Sequence, residues 1–139
     1  MMVPFLPMLA VPGEPFDSAD YLFEVKWNGV RALAANEQAD WRLWGRELAD
    51  YRSRYPELAV LRQLPAGTVL DGELVVLASG VPDLDAMLGR HQLTNPVKLR
   101  ARSQYQPISY VVFDLLAFGG RRLFDQPLHV RRALLQELL

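Results

Sequence analysis

The run from Ile108 to Phe118 is nearly continuous apolar sequence, with Asp114 as its one charge, between Pro107 and the Gly119-Gly120 pair. That is the pattern of a strand buried on both faces, so other elements must cover it from each side. A carboxylate inside such a strand is costly unless a partner neutralises it, so Asp114 calls for one. At 139 residues, half of them hydrophobic, the chain has room for one domain with a substantial core.

The remaining elements are read around that strand. Tyr21 to Lys26 alternates as a strand, Asn28-Gly29 signals a type I′ turn, and Val30 to Ala35 reads as the return. Trp41 to Arg46 alternates again as a third antiparallel strand. Pro56 opens a packing helix with Leu58, Leu61 and Leu64 on one stripe and Glu57 at its positive end. Thr68 to Leu77 is rich in strand-forming residues, and Pro82 to Arg90 suggests a short helix. The span from Asn95 to Pro107 reads as an irregular, basic connection whose Lys98, Arg100 and Arg102 either face phosphates or are simply solvated. Pro127 opens a last helix through Leu139 with apolar Val130, Leu134, Leu135 and Leu138. It lacks a stop signal, so an exposed apolar face around Leu134, Leu135 and Leu138 and self-association through it are expected.

Composition narrows the function classes. A net charge of −1 is weak for a nucleic-acid binder. The absence of cysteine excludes disulfides and thiolate metal sites and fits a reducing, cytoplasmic setting. His91 and His129 stand far apart in sequence, which argues against a histidine metal site. Met1 to Ala10 is apolar but has no basic flank and is too short to cross a membrane, so no membrane partner is expected. Pro4, Pro7, Pro12 and Pro15 favour an extended course over the surface.

The chain holds two lysines, Lys26 and Lys98, against thirteen arginines. A lysine kept in such a chain suggests a task arginine cannot perform, namely losing its proton and attacking an electrophile. Lys26 near a tight turn also reads as an ordinary charged residue, and a turn is a good way to hold a nucleophile still.

Glu24-Val25-Lys26-Trp27-Asn28-Gly29-Val30-Arg31 resembles the adenylation motif of ATP-dependent DNA ligases, in which a lysine precedes any residue, usually Asp-Gly, any residue and Arg. Further stretches resemble the family's motifs in order. Pro7 to Ala10 is similar to its lead-in, and Arg46 to the arginine of a Ser-Arg pair, with Gly45 in place of the serine. Arg54-Tyr55-Pro56-Glu57-Leu58, Asp71-Gly72-Glu73-Leu74 and Phe113-Asp114-Leu115-Leu116 come next. The resemblance implies an α+β fold of antiparallel sheets with flanking helices, the nucleotidyltransferase (ATP-grasp-like) fold of a ligase adenylation domain. It covers residues 1–139 and is incomplete at the C-terminus, the family's Glu-Gly motif, lysine-rich motif and OB-fold domain being absent.

The resemblance also implies roles. Lys26 would attack the α-phosphate of ATP, the AMP donor, with Mg²⁺ as cofactor and nicked double-stranded DNA as partner. Glu24 would recognise adenine, Arg31 a ribose or phosphate, and Arg46 a nucleotide or DNA phosphate. Glu73 would take the ribose or the metal, Asp71 would orient its neighbours, Phe113 would stack on adenine, and Asp114 would lie close to the nucleotide. Arg54 to Leu58 argues against an RNA ligase or a capping guanylyltransferase, which share the lysine motif. Asn28 stands where the family normally has Asp, removing a charge beside the nucleophile. The alternative is an inactive truncated or split ligase module that binds nucleotide, a protein partner or a second chain.

Overall fold

In the computed structural model, which describes residues 5–38 and 40–139, the sequence's alternating stretches become one antiparallel sheet. Its strands are Val30–Glu37 (β1), Asp40–Gly45 (β2), Thr68–Val75 (β3), Ser109–Phe118 (β6) and Arg121–Arg122 (β7), in the order β2-β1-β3-β6-β7. A separate ribbon joins Leu77–Ala78 (β4) to Val81–Pro82 (β5). Leu84–Gln92 (α1), Pro96–Tyr105 (α2), Leu128–Leu138 (α3) and the 3-10 helix Pro56–Gln63 complete a mixed α+β fold.

The central strands are buried on both faces, and successive residues enter two different clusters. Ala32, Ala34, Leu43, Leu70, Leu74 and Leu115 form a core with Leu58 of the 3-10 helix, Met87 of α1 and Leu135 of α3. Burying each such leucine or methionine contributes roughly 1.5–3 kcal/mol. A smaller cluster of Leu33, Ala35, Trp44, Val69 and Ala117 is covered by Phe5, whose carbonyl accepts the Trp44 indole N–H at 3.2 Å.

The β3–β6 register is broken twice. Asp71 faces Asp114 while Gly72 faces Val112, so Phe113 is an extra residue in β6; Leu116 is skipped in the same way between Leu115 and Ala117. Such bulges re-aim a side chain and free a backbone carbonyl. The Phe113 carbonyl is taken by Arg132 of α3 at 3.0 Å. Next to it, Asp114 receives a two-pronged ion pair from Arg131 at 2.8 and 2.9 Å and the Leu115 N–H at 2.8 Å. The partner that Asp114 required is therefore a helix arginine, and the pair fastens α3 to β6.

Several elements differ from the sequence-based expectation. Tyr21 to Asn28 pairs with no strand among the described residues, and the first hairpin lies one strand later, where β1 passes Gln38 (φ +49°) into β2. Neither Asn28 nor Gly29 has a positive φ, so no type I′ turn forms there. Gly29 is needed for proximity instead, because a Cβ on it would lie 2.0 Å from the Leu74 carbonyl oxygen. The expected irregular connection contains α2, since Asn95 caps its start by accepting the Val97 and Lys98 N–H groups and Pro96 fits the first turn. Asp83 likewise caps α1 through the Ala86 N–H, so that helix starts two residues later than its sequence signal. The first half of β6 is only half-buried rather than covered on both faces.

The exposed face expected on the last helix is not there. Leu135 is buried and Leu134 and Leu138 pack against the core, which removes the basis for self-association through α3. Exposed apolar surface lies instead on the N-terminal run, where Phe16 meets Tyr21 and Phe23 with ring centres 4.9 and 5.5 Å apart. That run has no strand or helix through Asn28, as its prolines favour, although Pro4 lies outside the described residues. No helix among the described residues is long and apolar enough to cross a membrane.

Leu48, in the turn after β2, has φ +63° and a largely exposed side chain. The left-handed conformation costs a non-glycine residue about 1–2 kcal/mol, partly offset in a glycine variant by greater freedom of the unfolded chain. Leu48→Gly should therefore stabilise the protein by up to about 1 kcal/mol, read from the denaturant midpoint.

Candidate functional site

A cavity of about 910 Å³ opens where β1 begins and β2 ends. Six of the sequence-derived candidates line it: Glu24, Lys26, Arg31, Arg46, Glu73 and Phe113. Arg31 and Glu73 are cross-strand neighbours in β1 and β3, which places their side chains on one face of the sheet. The β6 bulge brings Phe113 to the same place, with the Arg31 guanidinium 4.6 Å over its ring.

Arg31 is a fixed point of this wall. Its Nε and Nη2 donate to the two Asp71 oxygens at 2.6 and 2.8 Å, and Nη2 also donates to the Met8 carbonyl. This bidentate pair suits arginine and would be poorly reproduced by lysine. Burial alone pushes the Arg31 pKa down, but the Asp71 hydrogen bond and the charges of Asp71 and Glu73 outweigh it and leave it raised. Burial also pushes the Asp71 carboxyl up, against the pull of Arg31. With those nitrogens committed, Arg31 has Nη1 left to offer a ligand among the described contacts.

Glu73 is half-buried, and its carboxyl is raised by that burial against the opposing influence of Arg31, the Gly29 N–H and Lys26. Lys26 is exposed, and its amine donates to Asn28 Oδ1 at 3.3 Å, so Asn28 supplies an acceptor without the charge of an aspartate. Glu24 makes an ion pair with Arg132 at 2.9 Å, which ties the lysine segment to α3. Arg46 has no hydrogen-bond or ion-pair partner among the described residues. Asp71 and Asp114 hold arginines beside the cavity and are not on its wall.

Two features explain positions that looked out of pattern. Gly45 stands where the ligase motif has serine, and a Cβ there would lie 2.1 Å from the Tyr51 hydroxyl. Gly72 sits in mid-strand rather than in a turn, because the Tyr110 ring crosses it to donate to the Ala32 and Leu70 carbonyls.

Three further lining residues, Tyr51, Leu88 and His91, carried no site signal in the sequence. Tyr51 meets His91 edge-on at 4.9 Å, and His91 Nδ1 is 2.5 Å from the Tyr55 hydroxyl. The only available signal was that His91 closes a helix whose Met87 faces the core; nothing in the spacing pointed to a cavity.

Among the described residues no three His, Cys, Asp or Glu side chains cluster as a metal cage. The carboxylate of Glu73, outside any such cage, is a donor that fits Mg²⁺ shared with substrate phosphates rather than a cation held by protein alone.

The sequence profile described as the ATP dependent DNA ligase domain matches residues 7–139. The chain is 33% identical over 126 residues to the SPbeta prophage-derived DNA ligase-like protein LigB of Bacillus subtilis, covering 90% of this chain and 43% of that protein. The crystal structure of the ligase domain from M. tuberculosis LigD superposes with a TM-score of 0.65 at 35% identity, over 83% of this chain and 36% of that one. A mycobacterial DNA ligase D complexed with ATP and MES gives a TM-score of 0.62 at 33% identity, over 83% and 35%. The chain therefore spans less than half the length of these relatives.

Proposed function

Because the chain belongs to the ATP-dependent DNA ligase domain family, we propose that its cavity binds ATP and transfers AMP to Lys26, for onward delivery to a nick in double-stranded DNA. The observation that carries this reading is the convergence of Glu24, Lys26, Arg31, Glu73 and Phe113 on one cavity from three separate stretches of sequence.

The side chains present define the chemistry. Phe113, with Arg31 over its ring, supplies the aromatic surface on which adenine stacks. Glu24, anchored by Arg132, accepts a hydrogen bond from the base. Lys26, after losing a proton, attacks the α-phosphorus; a P–N bond forms, the bond to the bridging oxygen breaks, and pyrophosphate leaves. Arg46 and the free Nη1 of Arg31 are the cations available to the developing charge. Glu73 is the residue that would hold Mg²⁺, which would supply neutralisation of part of the triphosphate charge. In the second step a DNA 5′-phosphate takes the AMP from Lys26, and the nick's 3′-hydroxyl then displaces it.

Nucleotide binding tests the reading through Trp27, which lines the cavity and reports by fluorescence. ATP should bind saturably, and Phe113→Ala should weaken it by roughly 5- to 150-fold, the effect of losing about 1–3 kcal/mol of stacking. Equal affinity in the variant would remove Phe113 from the base site.

A further inference from the structure

We propose that His91 is a ligand-binding residue of the cavity, donating its Nε2–H to a phosphate oxygen within the lining it shares with Arg46 and Tyr51. This rests on the assignment of the cavity to a nucleotide and extends it to a residue outside the ligase motifs.

The tautomer is fixed by the neighbours. Tyr55 is fully buried, and its hydroxyl lies 2.5 Å from His91 Nδ1. Burial pushes the Tyr55 pKa well above its ordinary value, so the hydroxyl keeps its proton. No other acceptor for that proton is found among the described residues, so Tyr55 donates and Nδ1 accepts. A neutral imidazole that accepts at Nδ1 carries its hydrogen on Nε2. Burial and the nearby Arg54 charge also depress the His91 pKa, which favours that neutral form.

The ring is held as well as polarised. Tyr55 stacks on it at 6.1 Å, Tyr51 packs edge-on at 4.9 Å, and Arg54 Nη1 donates to the His91 carbonyl at 2.5 Å. Arg54 is held in turn, its carbonyl accepting from the buried Arg90 at 3.2 Å. Nε2 has no hydrogen-bond partner among the described residues, and it is not among the buried atoms left unsatisfied. Nε2 is therefore accessible, on a residue that lines the cavity.

Phosphate is the chemistry that fits. Arg46, unpartnered among the described residues, supplies the charge, and a neutral N–H adds direction without a proton to lose. Glu47 also lines the cavity and repels an anion, a cost that the Arg46 charge offsets. The phosphate belongs either to ATP or to the DNA 5′ end, and the two are separable by experiment.

The test is ¹⁵N NMR of the histidine side chains in this chain, alone and with ATP, inorganic pyrophosphate or a 5′-phosphorylated nicked duplex. The expected result is a neutral Nε2–H tautomer whose Nε2 resonance moves on saturation with at least one probe, the responding probe identifying the phosphate's source. His91→Gln should weaken that probe's binding by about 3- to 10-fold, the effect of one net hydrogen bond, with the fold intact by circular dichroism. A neutral Nδ1–H tautomer, or a His91 ring unmoved when ATP and duplex are both bound, overturns the proposal and leaves the nucleotide reading standing. Failure of every probe to bind overturns both.

Discussion

Glu57→Ala should lower the stability of the domain by about 3–5 kcal/mol, the effect of leaving a buried charge without its partner. Arg90 has no exposed surface, and its Nη2 donates to Glu57 Oε1 at 2.5 Å. Its other anchors are the Arg54 carbonyl at 3.2 Å and the Tyr55 ring at 5.6 Å, neither of which carries a compensating negative charge. Glu57 also accepts the Ile108 N–H at the start of β6, so the pair joins the 3-10 helix, α1 and the interior strand. The Glu57→Leu and Arg90→Met double variant should recover most of the loss, because well-packed apolar residues often replace a buried ion pair at little cost. Chemical denaturation of both variants measures the difference; a Glu57→Ala loss below about 1 kcal/mol would mean that water reaches Arg90.

The second large effect concerns chemistry. Lys26→Arg keeps a cation on the cavity wall and removes the one lysine amine among the described residues that line it. Covalent transfer of AMP should fall on the order of a million-fold, the scale on which loss of a covalent nucleophile acts in other enzymes. ATP binding should change little, since the charge remains. Asn28→Asp is informative beside it: a carboxylate would replace the present acceptor 3.3 Å from the amine and restore the charge usual in the family.

Much of this was legible in the sequence. The strands at Thr68 and Ser109, the helix opened by Pro56 and the co-location of Lys26, Glu73 and Phe113 follow from periodicity and motif order. What was not legible depends on long-range contact. Asn28-Gly29 carries a hairpin signature, yet Gly29 is used to approach Leu74, a neighbour far along the chain. Asp114 demanded a partner, but local spacing could not name Arg131. Leu134 and Leu138 read as exposed because the face they cover is assembled from residues distant in sequence. Asn95-Pro96 is the opposite case, a local capping signal outweighed in the reading by the polar composition around it.

The central claim is that Lys26 carries the nucleotide, and intact-protein mass spectrometry with peptide mapping tests it most directly. The chain is incubated with ATP and Mg²⁺, both alone and mixed with the part of the LigD ligase domain that it does not cover. The expected result is a slow or undetectable reaction alone and, in the mixture, a single AMP adduct that maps to Lys26 and disappears in Lys26→Arg. An adduct on Lys98, an adduct that survives in Lys26→Arg, or none in either sample while ATP is bound would contradict it.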